Sequence, residues 1–188
     1  MAQIDSVSIS EILHFRTELN QSYQDSVESP LSKVDLAQFS ALDFYPVDLS
    51  FRVKAKLTRD TSSSSFAMKT STTRQPKYRK FGDLAFVIHQ KKFCIPVYQN
   101  VELSLKPGFE NYLFFPFTDL TNLDQTYGGG RYLDLKIPEG DTLVLDFNQC
   151  YQPYCAYNHK YSCPIPPPEN FIDLRIEAGV KGSFYKKE

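Results

Sequence analysis

The sequence predicts a mostly-β protein: an antiparallel β-sandwich or partly open β-barrel with an N-terminal amphipathic helix. Three observations predict it. From Phe51 onwards apolar residues recur at every second position, the period of a half-buried strand. Short strand-like runs then follow one another with no helical pattern between them. The chain also holds 15 Phe, 12 Tyr and no Trp, and flat rings pack well across a pleated surface. With 188 residues, 41% hydrophobic and 23% charged, it reads as one soluble domain, 1–188, able to build a core without staples. Within it, 1–40 is a helical segment and 51–179 the β domain.

The elements follow in order. Ser8 to Glu28 reads as the helix, because Ile9, Ile12, Leu13, Leu19, Tyr23 and Val27 recur with helical spacing before Pro30 stops it. Ser32 is a good N-cap for a shorter helix: Asp35 suits its positive end, and Leu36 and Phe39 are placed to dock. Phe51, Val53, Ala55 and Leu57 alternate with Arg52, Lys54 and Lys56 in a first strand. Further strands are expected near Phe66–Lys69, Leu84–His89, Lys92–Gln99, Tyr112–Thr118, Arg131–Ile137, Thr142–Asn148 and Phe171–Ala178. A hairpin turn is expected at Gln90-Lys91-Lys92, although it lacks the usual Gly.

Charge narrows the partners. A formal net charge of -1 gives no basic field for nucleic acid or anionic lipid. No apolar run approaches membrane-spanning length. Met1 to Ser10 lacks the basic region and apolar core of a signal peptide. The chain therefore reads as cytoplasmic if Met1 is native, and as periplasmic if a leader has been removed. Cys94 sits in an apolar strand-like run and reads as a buried thiol. The other three cysteines, Cys150, Cys155 and Cys163, fall close together.

Composition shifts between Tyr127 and Asn170. Tyr127-Gly128-Gly129-Gly130-Arg131-Tyr132 holds three of the chain's eight glycines. A hairpin of Arg131–Ile137 and Thr142–Asn148 is expected next, with Leu133, Leu135, Ile137, Leu143, Leu145 and Phe147 on the buried face. That register sets Asp134 across from Asp146 and Tyr132 across from Asn148. Beyond it runs an irregular loop rich in Tyr, Pro and Cys, and long ordered loops are often functional or lid-like.

Several chemistries are open to these residues. Cys150, Cys155, His159 and Cys163 give Cys-x4-Cys-x3-His-x3-Cys, four zinc-type ligands lacking the tight Cys-x2-Cys knuckle, and no metal site is assigned. In an exported protein Cys155 and Cys163 are the disulfide candidate. A reactive Cys155 would need His159 or Arg131 beside it. The glycine run is neither a Walker loop nor a dinucleotide fingerprint, but its N–H groups suit an anion as well as a tight turn. Arg131 suits a bidentate clamp on a carboxylate or phosphate. Asp134 and Asp146 suit a hard cation with Asn148, or an acid–base pair, or plain ion pairs. Tyr151, Tyr154, Tyr157 and Tyr161 suit the wall of a pocket or the cover of a sheet.

The motifs resemble a known family. Tyr127-Gly-Gly-Gly-Arg-Tyr-Leu-Asp134, Pro138, Gly140, Leu145-Asp-Phe-Asn148, Tyr151, Pro153, Cys155-Ala-Tyr-Asn158, Cys163-Pro164 and Pro166-Pro-Pro-Glu-Asn170 look like the bacterial family catalogued as domain of unknown function 1684. Ser29-Pro30-Leu31, Phe44-Tyr45-Pro46, Phe51-Arg52-Val53 and Phe115-Pro-Phe-Thr-Asp119 fit it too. The spelling is closest to members from the Bacteroidetes group, many of which carry leader peptides. Cys150 departs from the pattern, where a small residue such as Ala is usual. The resemblance calls for neither Cys150 nor His159 and implies no activity or cofactor.

Three functions are carried forward. The first is a small-molecule-binding domain recognising an anionic group. Its ligand-binding residues are Tyr127, Gly128, Gly129, Gly130, Arg131, Tyr132, Asp134, Asp146, Asn148, Tyr151, Cys155, Tyr157 and Asn158. The second is a hydrolase-like enzyme using Asp134 and Asp146, with or without a divalent cation. The third is a structural or interaction module without a small-molecule site.

Overall fold

In the computed structural model, residues 2–182 are described, with side chains from Asp5 onward; Met1 and 183–188 lie outside the described residues. The protein is a curled, mostly antiparallel half-barrel with a helix packed on its outside. Helix α1 spans Ala2–Gln24 and helix α2 Lys33–Gln38. The strands are β1 Arg52–Arg59, β2 Ser65–Ala67, β3 Lys77–Ile88, β4 Lys91–Asn100, β5 Tyr112–Asp119, β6 Arg131–Lys136, β7 Thr142–Asp146 and β8 Phe171–Ile172. The main path runs β6-β5-β4-β3-β1-β7, with β2 paired to β3 and β8 paired in parallel to β5.

Helix α1 ends four residues before the expected Glu28. The Asp25 carboxylate accepts the backbone N–H groups of Val27 and Glu28, a local turn that competes with further helix. Val27 therefore lies past the helix and is 89% exposed, and Ile9 and Leu13 also face outward. The docking face is Ile12, Phe15, Leu19 and Tyr23 instead. Ser32 caps α2 as expected, accepting the Asp35 N–H.

Two apolar layers lie on the two faces of the sheet. The inner one is the barrel core: Ala55 and Leu57 of β1, Leu84, Phe86 and Ile88 of β3, Ile95 and Val97 of β4, Leu113, Phe115 and Phe117 of β5, Leu133 and Leu135 of β6, and Leu145 and Phe147. The outer one is aromatic: Tyr78, Tyr98, Phe114 and Tyr132, with Met68, Cys155 and Cys163. Tyr78 and Leu84 sit on opposite faces although both are even-numbered. The switch comes from a bulge: Lys80 pairs Tyr98 while Gly82 pairs Val97, leaving Phe81 as an extra residue. A Cβ on Gly82 would strike the Thr58 carbonyl of β1, so only glycine lets the strands approach there. Cys94 is exposed on the outer side of β4, not buried as its apolar neighbours suggested.

The β3–β4 turn is His89-Gln90, one residue earlier than expected, with φ of 47° and 67°. Two left-handed residues match the twist of a tight hairpin, and the turn achieves this without glycine. His89 is held by Ser50 Oγ at 3.0 Å and lies against the Phe51 ring.

The expected β6–β7 hairpin does not form. β6 pairs β5 (Leu113 with Leu135, Phe115 with Leu133), and β7 pairs β1 (Val53 with Leu145, Arg52 with Asp146). These strands end the two sides of the sheet path. The free side of β6 is met by one residue, Tyr151, which exchanges two backbone hydrogen bonds with Tyr132. Among the described residues no helix is long and apolar enough to cross a membrane.

Candidate functional site

The first six residues of β5 read Tyr-Leu-Phe-Phe-Pro-Phe, apolar at every position, which implies that both faces are covered there. Leu113, Phe115 and Phe117 enter the barrel, so Tyr112 and Phe114 face outward. On neighbouring β6 the same outward side carries Tyr132 and Asp134, with Asp134 across from Phe114. Helix α1 passes over this face and brings Phe15 and Leu19. The Cys loop supplies Tyr151, Tyr154, Ser162, Cys163 and Pro164. Together they enclose an open-sided pocket of about 360 Å³.

Asp134 is the pocket's charged group. Its Oδ1 accepts hydrogen bonds from the Tyr112 hydroxyl at 2.6 Å and the Tyr151 hydroxyl at 2.8 Å. Its Oδ2 has no hydrogen-bond partner among the described residues. Solvent reaches the carboxylate through the mouth, yet protein surrounds it on its other sides. That desolvation raises its pKa, and the two tyrosine hydroxyls oppose the rise only in part. Burial next to this charge also raises the pKa values of Tyr112 and Tyr151, so both stay protonated donors. The Tyr132 hydroxyl donates to the Pro164 carbonyl, which ties the Cys loop to β6.

Of the predicted ligand-binding residues Tyr132, Asp134 and Tyr151 meet here, joined by Tyr154 of the predicted tyrosine wall and by Cys163. The other predicted ligand-binding residues lie elsewhere. Arg131 is no clamp at a rim. It is 0% exposed, with Nη1 on the Ala178 carbonyl at 2.6 Å, and Nη2 on Asp119 Oδ2 at 2.6 Å and the Ile176 carbonyl at 2.7 Å. The reason is register: Arg131 pairs Phe117 and shares its inward face. Its charge is balanced inside the protein by Asp119, itself buried, and its guanidinium lies away from the surface.

The glycine turn packs closely against its neighbours. Gly130 has φ +89°, and a Cβ there would meet the Phe117 carbonyl at 2.5 Å and Pro166 Cγ at 2.8 Å. A Cβ on Gly128 would strike Leu123, and one on Gly129 the Tyr127 ring. Asp146 and Asn148 do not face Asp134 and Tyr132. Asp146 pairs with Arg52 at 2.7 Å and caps the next turn through the Asn148 N–H. Arg52 also reaches Glu11 of α1 at 2.8 Å, so this pair docks the helix. Asn148 clamps both backbone groups of Asp48. Tyr157 packs edge-on against Tyr23 of α1, and Asn158 accepts from Lys160 N–H in a surface turn.

The cysteines divide between the layers. Cys150 lies in the barrel core, its thiol donating to the Ala178 carbonyl, and burial pushes its pKa up to about 11. Cys155 and Cys163 are unbridged thiols in the aromatic layer, with the Cys155 N–H donating to Cys163 Sγ at 3.1 Å and Tyr127 Oη 3.8 Å from Cys155 Sγ. The Cys163 thiol hydrogen-bonds to Cys155, lowering the pKa of Cys155 and raising its own. The disulfide candidates are therefore neighbours. Among the described residues no three His, Cys, Asp or Glu side chains gather as a metal site.

Sequence reasoning missed Tyr78, Tyr112, Phe114, Phe15 and Leu19. The two-sided apolarity of β5 was the available signal for Tyr112 and Phe114. Nothing local marked Tyr78, because the bulge reverses the alternation around it.

No curated protein matches the chain. It is similar to a solution NMR structure of an uncharacterized protein from Haloarcula marismortui, with 28% sequence identity and a TM-score of 0.75 over 96% of this chain and 97% of that one. Two proteins of such modest identity share the helix-capped half-barrel from end to end. With residues 37–181 matching the model described as protein of unknown function (DUF1684), the chain belongs to that family.

Proposed function

We propose that the protein is a small-molecule-binding domain whose site is the pocket between α1 and the outer face of β5–β6. One observation carries this reading. A carboxylate stands among apolar and aromatic walls, held at Oδ1 by two hydroxyls and open to the pocket at Oδ2. A pocket with mostly apolar walls and one convergent polar group is the usual form of a ligand site.

The earlier ligand assignment shifts with the geometry. Arg131 is buried on Asp119, so an anionic group loses that anchor. The acid–base alternative loses its pair, because Asp134 and Asp146 answer to different partners. The test is a fragment library of mixed charge, screened by NMR on the full chain. Shifts clustering at Tyr112, Tyr132, Tyr151 and Phe15 are the expected result, lost in Asp134→Leu. Shifts scattered over the surface, or unchanged in that variant, would reject the site.

A further inference from the structure

We infer that this pocket takes a small organic ammonium ion, its head group on Asp134 Oδ2 and its body against the tyrosine rings. The inference rests on the pocket being a ligand site and adds the ligand's charge and shape.

Charge is the first argument. Asp134 forms no salt bridge among the described residues, and no Lys, Arg or His lines the pocket. Its two partners are neutral hydroxyls, which solvate the carboxylate without cancelling its charge. The group a carboxylate in such surroundings gains most from is a cation. An anion would meet repulsion from Asp134 there, with no Lys, Arg or His to offset it.

The walls are the second argument. Phe114 and Tyr132 meet at 73° with centroids 4.7 Å apart, and Tyr132 and Tyr151 meet at 88° and 5.9 Å. Tyr78 continues the series at 43° to Phe114. Successive rings pack edge to face, so the walls beside Asp134 are aromatic. Ring faces carry negative potential and attract ammonium groups, most strongly where water is excluded.

Coordination geometry separates ammonium from other cations. A guanidinium fork needs both carboxylate oxygens, but Oδ1 already receives two hydrogen bonds. A single-point donor on Oδ2 fits what is left. A hard divalent metal would need six or so oxygen ligands, and the pocket offers one carboxylate. The volume of about 360 Å³ lies near the lower end for ligand pockets, which suits a small amine. Binding should release a proton at acid pH, because the cation lowers the carboxyl pKa that partial desolvation raises.

Isothermal titration calorimetry on the full chain tests this with matched probes: 2-phenylethylammonium, 2-phenylethanol and phenylacetate, then choline against 3,3-dimethylbutan-1-ol. 2-Phenylethylammonium is expected to bind at least about tenfold more tightly than 2-phenylethanol, the scale of one charge-assisted hydrogen bond, and choline, which has no N–H, is expected to exceed its neutral partner by charge attraction alone. Phenylacetate is expected not to bind. Asp134→Asn keeps the acceptor for both tyrosines and should bring ammonium and neutral probes to similar affinity. Ammonium affinity should also weaken as pH falls, with proton release visible as a buffer-dependent heat. Equal binding of neutral and ammonium probes to the wild type, or full ammonium affinity in Asp134→Asn, would overturn the ammonium assignment and leave the pocket standing. Silence from every probe, with mixed-charge fragments also failing to shift the pocket tyrosines, would remove both. A Tyr151→Phe chain gives a second readout, with a smaller loss expected for the ammonium probes than in Asp134→Asn.

Discussion

Two charged side chains three positions apart, Arg131 and Asp134, behave in opposite ways, and their surroundings explain it. Arg131 has its counter-charge, Asp119, and two backbone carbonyls within 2.7 Å. Removing it strands the Asp119 carboxylate inside the protein. Arg131→Met is therefore expected to destabilise the fold by about 3–5 kcal/mol. Pairing it with Asp119→Asn should recover part of that loss, as read by urea unfolding. Asp134 has no counter-charge, and its folded pKa lies above its unfolded value near 3.9. The folded state then binds the extra proton between those two values. Stability contributed by this group is present at low pH and is lost as pH rises through the folded pKa. Asp134→Asn should thus raise stability near neutral pH, with the gain fading below about pH 4. A neutral-pH loss of stability would show that the ionised carboxylate supports the empty fold.

At the scale of elements, prolines open a gap that one side chain fills. Pro96 in β4 and Pro116 in β5 lack the N–H that a ladder needs, and these strands register at only one pair, Tyr98 with Phe114. Asn170 lies beneath them. Its amide donates to the Pro96 carbonyl at 2.9 Å and the Pro116 carbonyl at 2.7 Å, and its oxygen accepts from the Tyr98 hydroxyl. Asn170→Leu should cost about 2–4 kcal/mol by leaving these groups unpaired, measured by thermal and urea unfolding. The Cys loop offers a second element-scale outcome. Exposure of the folded chain to glutathione disulfide should link Cys155 to Cys163 by thiol–disulfide exchange, with Cys155 attacking first and glutathione leaving as thiol. Peptide mapping that finds Cys163 joined to Cys94 or Cys150 would contradict this.

Legibility followed locality. The half-barrel class, the outer helix and the Ser32 cap were readable because alternation, periodicity and capping are local patterns. The first part of β3 was not, since the bulge at Gly82 reverses which parity faces inward. The β6–β7 hairpin misled because consecutive strands usually pair; here Val53 and Arg52 of β1 hold β7 instead. Asp134, Tyr132 and Tyr151 were legible as a cluster of unusual residues. Their neighbours on β5 and α1 were not, because only the tertiary fold brings Tyr112 and Phe15 to the same pocket.

The partnership of β1 with β7 also sets an order of assembly. Arg52 and Asp146 face each other although 94 positions separate them in the chain. Closing so large a loop early is entropically unfavourable, whereas β3 and β4 meet across two residues. The meander should form first and the seam last, so folding belongs to the slow range of milliseconds to seconds typical of non-local β topologies. Truncating a seam residue, Leu145→Ala, should then act mainly by accelerating unfolding. Ile95→Ala in the meander should mainly slow folding, and stopped-flow chevrons on the two variants would tell them apart.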